Sequence, residues 1–555
     1  MLASSAEREP AAAARDLRKQ LGLPALSDAD LESARRTLPQ RAEAARAYAE
    51  GNQAFRRGEL ALARGAYERA LALEPEHPLV LAALADVWRA SGYRARAREA
   101  ARRTVALSAS LPAEARPRLE ALSAEAEDQW LRAAQAYRVL VAGSPEHREH
   151  GVRLVESLAR GGKPADARAE LARLRKLGDD PRLELAACLA RLEDVCARAE
   201  AGARDRRSAG LAALEQAAAL ARAGEPPGAA LERAAAALAD PIGKAEIALA
   251  IAQAHAEAQG ETERTLVDFH DALARYREAG EPEGEAASLD GLGVQLAAMG
   301  KLDVAASRLE QALELAQRHQ IRVLRARVET HLADVLLARG RPRDAALRAD
   351  KAVQALRQLD APAALADALD AMGRLQAALG RLDEARQSFQ AALDLHGEHA
   401  GPSLEGLALV ELAADRLDAA EKLAERAVSA AGRRTDELRA LALLARVHLR
   451  LESKEKLAAD AARARALGLA APAIQALGLM AQGDEDGALA MIEDAVEDSE
   501  REGRLAAALD LRMLQAELEL WRGQRAAALK LLEALQKDAA DLGFEQLVHD
   551  IHALR

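Results

Sequence analysis

A six-residue string, Gly-x-x-x-x-Ala, marks nine predicted turns along the 555 residues of this chain. It stands at Gly58/Ala63, Gly92/Ala97, Gly162/Ala167, Gly224/Ala229, Gly300/Ala305, Gly340/Ala345, Gly380/Ala385, Gly483/Ala488 and Gly523/Ala528. The first two copies lie 34 residues apart, and later neighbours lie 40 apart. A repeat of that length is one helical hairpin, which cannot bury its apolar face alone and must stack on its neighbours. The expected fold is all-α: an α-solenoid of stacked antiparallel helical hairpins. No other feature narrows the fold as far.

Composition agrees with that architecture. Hydrophobic residues make up 50% of the chain but aromatics only 2%, so the apolar mass is Ala and Leu, both good helix formers. The net charge of −11 argues against a general phosphate-backbone binder, which needs a basic footprint. Twelve aromatics leave little for base stacking, so no direct nucleic-acid partner is expected. The first twenty residues carry charges throughout and no apolar signal core. No uncharged run of about 18 apolar residues occurs, so no membrane contact is expected. Cys188 and Cys196 fall eight apart in one predicted helical stretch. At about 1.5 Å rise per residue their Cα atoms would stand about 12 Å apart, too far for a disulfide. They are expected as small core residues, which with the missing signal core makes the cytoplasm the expected compartment.

The repeats divide the chain. Residues 1–40 read as an N-terminal helical linker or cap, with helices around Ala11–Leu21 and from Ser27, closed by Pro39. Residues 41–178 form a block of 34-residue spacing, and 179–280 hold degenerate helical repeats. Residues 281–535 are a second block, largely of 40-residue spacing, and 536–555 a closing helix that covers the last apolar face. Asp128, Asp415 and Glu452 stand where the turn glycine is missing. The segment 202–210, GARDRRSAG, reads as an exposed loop or weak joint. The expected total is 13–14 hairpins.

In the first repeat Gly51 lets the second helix approach, Gly58 makes the turn, and Ala63, Tyr67, Ala70 and Leu71 form the facing stripe before Pro75. The string EGNQAFRRGELALARGAYERALALEP resembles the tetratricopeptide repeat (TPR). The likeness extends through Trp88, Gly92 and Ala97, then Ala133 and Tyr137, then Leu158, Gly162 and Ala167. It is strong again over 281–395, where Gly293, Ala333 and Gly373 hold the small-residue position, and it covers about nine-tenths of the chain. The resemblance implies a TPR superhelix whose first helices line a concave groove. Residues 15–75 are also similar to the entry into the TPR arm of bacterial Ser/Thr kinases and transcription activators.

Catalytic signatures are missing. There is no Walker A string and no kinase motif, and Gly291–Gly293 lacks the third glycine of a dinucleotide loop. The HxxH pairs His147/His150, His396/His399 and His549/His552 have no third ligand nearby, so no metal is expected. GDEDG at 483–487 lacks the spacing of a calcium loop. No cofactor and no catalytic residue is expected, and the chain reads as non-enzymatic. Repeat two is basic, with Arg89, Arg94, Arg96, Arg98, Arg102 and Arg103, whereas 484–502 is acidic.

The groove-facing positions of the first helices give the candidate contact residues. They are Tyr48, Asn52, Phe55, Asp86 and Arg89 in the first block, and Asp290, Arg327, His331, Asp334, Asp370 and Arg374 in the second. One TPR subclass holds a C-terminal carboxylate in a clamp. Asn52 matches that clamp, but Tyr48, Ala83, Ala115 and Leu119 replace its lysine, asparagine and basic residues, which excludes the co-chaperone role. The leading reading is a TPR scaffold binding a protein or peptide, in bacterial signalling or complex assembly. The alternative is the sensory arm of a kinase or transcription regulator whose other domain lies outside this chain. Oligomeric state is not encoded in these features.

Overall fold

A computed structural model describes residues 37–107, 116–144, 148–203, 205–223, 225–259, 263–396, 400–432, 434–468 and 471–555. The helices expected over 11–21 and from Ser27 lie outside them. Among the described residues there are 29 helices and no strand. Most pack in consecutive pairs as helical hairpins, and a closing helix follows at Glu545–Leu554.

The first hairpin shows why this sequence folds so. Ala42–Arg56 and Leu60–Leu73 are two Ala-rich helices joined at Gly58, whose φ is 75°. A side chain is disfavoured there, and glycine is not. Gly51 faces the ring of Tyr67 so closely that an added Cβ would come within 2.5 Å of Cε1. Ala63 and Ala70 are fully buried. Proline opens the helices that begin at Pro78, Pro164, Pro282, Pro342, Pro362 and Pro472, where the missing N–H is no loss.

The turn register holds down the chain. The eight described turn glycines of the repeated string all have left-handed φ. Where glycine is missing, Asp128, Asp415 and Glu452 take the same conformation, at φ 57°, 56° and 53°. Ala167, Ala305, Ala345, Ala385 and Ala528 are fully buried, and Ala97 nearly so.

The structure corrects four expectations. Ala229 is exposed and Ala230 buried instead, and the helix after the two prolines begins only at Gly228, four residues after Gly224 where the other copies begin two after the glycine. Residues 202–210 are mostly helical. The helix Arg206–Arg222 starts at once, its Asp205 carboxylate accepting the Ser208 N–H. The cysteines are not free: Cys188 and Cys196, the only two in the chain, are disulfide-bonded. They do not share a helix, because one ends at Leu189 and the next begins at Cys196, with Arg191 at φ 52° between them. The closing helix starts at Glu545 rather than 536, since Gly543 in left-handed conformation ends the long helix Arg525–Leu542.

The chain divides into two compact units. One holds the described residues up to Ala159 with Lys163–Leu192, the other Arg160–Gly162 with Glu193–Arg555. In the second unit each first helix also touches the first helix of the following hairpin, which places the first helices on the inner side. This unit meets itself after five hairpins. Gly300 lies against Glu502 and Arg504, Gly340 against Leu505 and Leu542, and Gly380 against Glu545 and Gln546. Arg343 pairs with Glu545 across 202 residues of sequence. Leu337 and Ala378 pack on the apolar cluster of the last helices, around Leu509 and Met513.

Candidate functional site

The first unit carries a polar cluster on its first helices. Tyr48 is buried, its ring centroid 5.8 Å from that of Tyr67. The Tyr67 hydroxyl donates to Asn52 Oδ1 at 2.9 Å, and burial together with Tyr48 pushes its ionisation upward. Phe55 is half-buried against the same apolar cluster. Asp86 pairs with Arg118 at 3.0 Å and Arg153 at 3.8 Å. Burial opposes its charge, but Arg118, Arg153 and Arg89 hold the carboxyl below its usual range. Arg153 is almost fully buried, donates to the Tyr137 hydroxyl at 3.2 Å, and pairs with Glu125. Arg89 Nε is buried and makes no hydrogen bond.

In the second unit the candidate residues form ion pairs from one hairpin to the next. Asp290 is buried and receives Arg327 Nε at 2.9 Å and His331 Nδ1 at 2.6 Å. Burial works against its charge, yet His331 and Arg327 hold its carboxyl low. Burial likewise opposes protonation of His331, but Asp290 raises its pKa overall. Arg374 reaches Asp334 at 2.8 Å, and the two side chains remain 40% and 39% exposed. Asp370 is buried, with His396 Nε2 at 2.8 Å and the Ser403 hydroxyl donating at 2.8 Å. Glu405 pairs with Arg439 at 3.0 Å. The face is a ladder of acid–base pairs in which Asp290, Asp370 and His396 are buried while Arg327, Arg374 and Asp334 keep about two-fifths of their side chains exposed.

All eleven candidates thus stand on first helices, and two groups are joined by direct contact: Asp290 with Arg327 and His331, and Asp334 with Arg374. Sequence reading missed Arg118, Glu125 and Arg153 in the first unit, and Arg446, Asp510 and Glu517 in the second. The turn register marks several of them. Asn52, Asp86, Asp334 and Arg374 each stand six residues before a turn glycine. Arg446 stands six before Glu452, and Glu517 six before Gly523.

Gly51, Gly293 and Gly373 each admit a large side chain from the partner helix: Tyr67, Leu309 and Phe389. With the turn glycines and closing alanines, this puts every defining position of the repeat in place. The fold is a tetratricopeptide-repeat solenoid. No protein-family profile and no curated protein matches the chain. Solved structures with a similar TPR-type fold include a Rap protein complexed with competence and sporulation factor, at 15% identity and TM-score 0.40, covering 72% of this chain and 99% of that one. Yeast Tom70 matches at 16% identity and TM-score 0.35, over 92% and 95% of the two chains. The APC/C hetero-tetramer Cut9–Hcn1 matches at 14% and 0.46, over 91% and 96%. These likenesses are loose, and the TPR register of this chain rests on its own residues.

Among the described residues no group of three or more His, Cys, Asp or Glu is placed to hold a metal ion. His147 and His399, each half of an HxxH pair, lie outside the described residues. His552 contacts Gln536. No helix among the described residues is long and apolar enough to cross a membrane.

Proposed function

We propose that this chain is a non-enzymatic TPR scaffold that binds a protein or peptide on the inner face of its first helices. The carrying observation is the ladder of ion pairs in the second unit, whose Arg327, Arg374 and Asp334 side chains remain accessible. A face that served packing alone would gain more from apolar contact than from ion pairs, whose desolvation offsets much of their attraction. Arg327 and Arg374 keep about two-fifths of their side chains accessible, so their guanidinium groups can serve a ligand without first losing their carboxylate partners. Residues 15–75 support a setting in bacterial signalling or complex assembly. The cytoplasmic placement loses one support, because a structural disulfide at Cys188–Cys196 suits an oxidising compartment.

The test compares partner capture by the wild-type chain, by Arg327→Glu/Arg374→Glu, and by the outer-helix control Arg318→Glu. The inner-face variant is expected to lose at least about tenfold in affinity for a captured partner, and the control none. Equal binding by all three would place the interaction elsewhere and end this reading.

A further inference from the structure

In the second hairpin the second helix, Arg94–Ala106, carries cations where several other second helices carry acids. The start of a helix favours acids, because its dipole is positive there. Asp166, Asp344 and Glu384 stand four residues after their turn glycines and meet that preference. Arg96 stands four after Gly92, and the first turn of its helix holds no acid. The helix itself gains nothing from a cation at this place.

What holds Arg96 is aromatic. Its guanidinium carbon lies 4.7 Å from the centroid of the Trp88 ring and 5.3 Å from that of Tyr93, and the two rings meet edge to face at 5.2 Å. Arg64, on helix Leu60–Leu73, lies 5.0 Å from the same Trp88 ring. Two guanidinium groups gathered by one ring stand within about 10 Å of each other. Trp88 is itself buried, so both rest on a fixed floor. Stacking occupies the face of a guanidinium and leaves its N–H edges free. Arg96 is exposed and makes no hydrogen bond or ion pair with any described residue. The Arg64 side chain is 38% exposed and meets one carboxylate, Glu68, at 3.9 Å. Arg103, two turns beyond Arg96 on the same face, is exposed and equally unpaired. Glu99, between them, pairs with neither.

We propose that Arg64 and Arg96, anchored on Trp88 and extended by Arg103, form a docking surface for an acidic helix of a partner protein, one that presents carboxylates at i and i+4. Charge complementarity selects the occupant, because the surface offers several guanidinium edges and few acids to meet them. Carboxylates at that spacing share one helix face, with Cβ atoms about 5–6 Å apart, and their side chains reach two cations within about 10 Å. Arginines already held by aromatic rings lose less freedom on binding than unrestrained side chains. A nucleic acid fits less well, since the Trp88 ring is covered by guanidinium groups and cannot stack a base. The cations stand on second helices, so this surface is separate from the inner face of the first helices and stands without it.

The probes are alanine-rich helical peptides, acetylated and amidated, titrated into the full chain by calorimetry. One carries two Glu pairs at i,i+4, a second the same pairs at i,i+2, and a third Gln in place of every Glu. The i,i+4 Glu peptide is expected to bind at about 1 mM or tighter, at least tenfold better than the other two, and to weaken with added salt. Arg64→Gln/Arg96→Gln should lose at least tenfold and Arg103→Gln about threefold, whereas Arg327→Glu/Arg374→Glu should lose nothing. The arginine side chains reach solvent, so the Gln variants should melt within about 5 °C of wild type. If the double variant fails to fold, the Arg103→Gln loss carries the test. Equal binding by the Gln or the i,i+2 peptide, no binding by any peptide, or unchanged affinity in both Gln variants would each overturn the proposal. So would a mixed-sequence RNA oligonucleotide that binds more tightly than the Glu peptide and is lost in Arg64→Gln/Arg96→Gln, which would make the patch a nucleic-acid surface.

Discussion

His448 makes a demand that a neutral imidazole cannot meet. Its Nδ1 stands 2.6 Å from Asp460 and its Nε2 3.1 Å from Glu421, and the residue is buried. Only the imidazolium donates to both carboxylates. Burial opposes that charge, but Asp460 and Glu421 raise the pKa overall, while Lys456 shares Glu421 from the surface. The folded pKa lies above the unfolded value of about 6.5. Its stabilisation is therefore complete below about pH 6.5 and is lost as pH rises through the folded pKa. His448→Gln is expected to cost about 1–3 kcal/mol at pH 6, with the gap to wild type closing toward pH 9 in urea unfolding. A gap that does not change with pH would contradict this account. The cysteines show what single residues hide from sequence reading. No Gly or Pro lies between Cys188 and Cys196, so nothing in the string announces the break that brings them together. The break is made by Arg191 in a left-handed conformation that non-glycine residues adopt only under tertiary constraint. The site was more legible than the disulfide. The six-before-turn position marks Arg446 and Glu517 as plainly as Asp334 and Arg374, once Glu452 is accepted as a turn residue.

Hairpins were the most legible level, because two independent signals coincide in each. The turn requires left-handed backbone, and the first helix requires a small residue where the second crosses it. Gly51 illustrates the second requirement. Alanine is the better helix former by about 1 kcal/mol, so an exposed glycine there would be improved by Gly51→Ala. Here the added Cβ would stand 2.5 and 2.6 Å from Tyr67 ring carbons, and that ring is itself buried and hydrogen-bonded to Asn52. The ring cannot yield without breaking that bond. Gly51→Ala is expected to destabilise by about 1–3 kcal/mol despite its helix propensity. Faster hydrogen exchange confined to the helices Ala42–Arg56 and Leu60–Leu73 would accompany it. Gain of stability would mean that the two helices lie further apart than described. The same logic explains where the period blurs. At 224–230 the helix begins four residues after the glycine instead of two, and a buried alanine one position later does the work the string assigned to Ala229.

What the period could not encode is how the second unit meets itself. That depends on a small rotation per hairpin, summed over five hairpins, and no single residue carries it. The consequence is nevertheless local and measurable. Turn glycines 300, 340 and 380 have a second duty beyond their φ, because the chain about two hundred residues later packs on them. Arg343 and Glu545 add an ion pair across the same seam, but both are largely exposed and contribute little. The apolar contacts of Leu337 and Ala378 with the last helices hold it. A Cβ built on Gly380 would lie 3.6 Å from Cβ of Glu545, within the spacing a disulfide spans. The double variant Gly380→Cys/Glu545→Cys is therefore expected to cross-link under oxidation without disturbing the Cys188–Cys196 disulfide. It should raise stability by about 2–4 kcal/mol relative to its reduced form, less whatever strain a side chain meets at a φ of 73°. Peptide mapping under non-reducing conditions identifies the new bond. Gly300→Cys/Glu545→Cys, two hairpins out of phase, should form none. Cross-linking of the mismatched pair at a similar rate would mean that the turn is not closed after five hairpins.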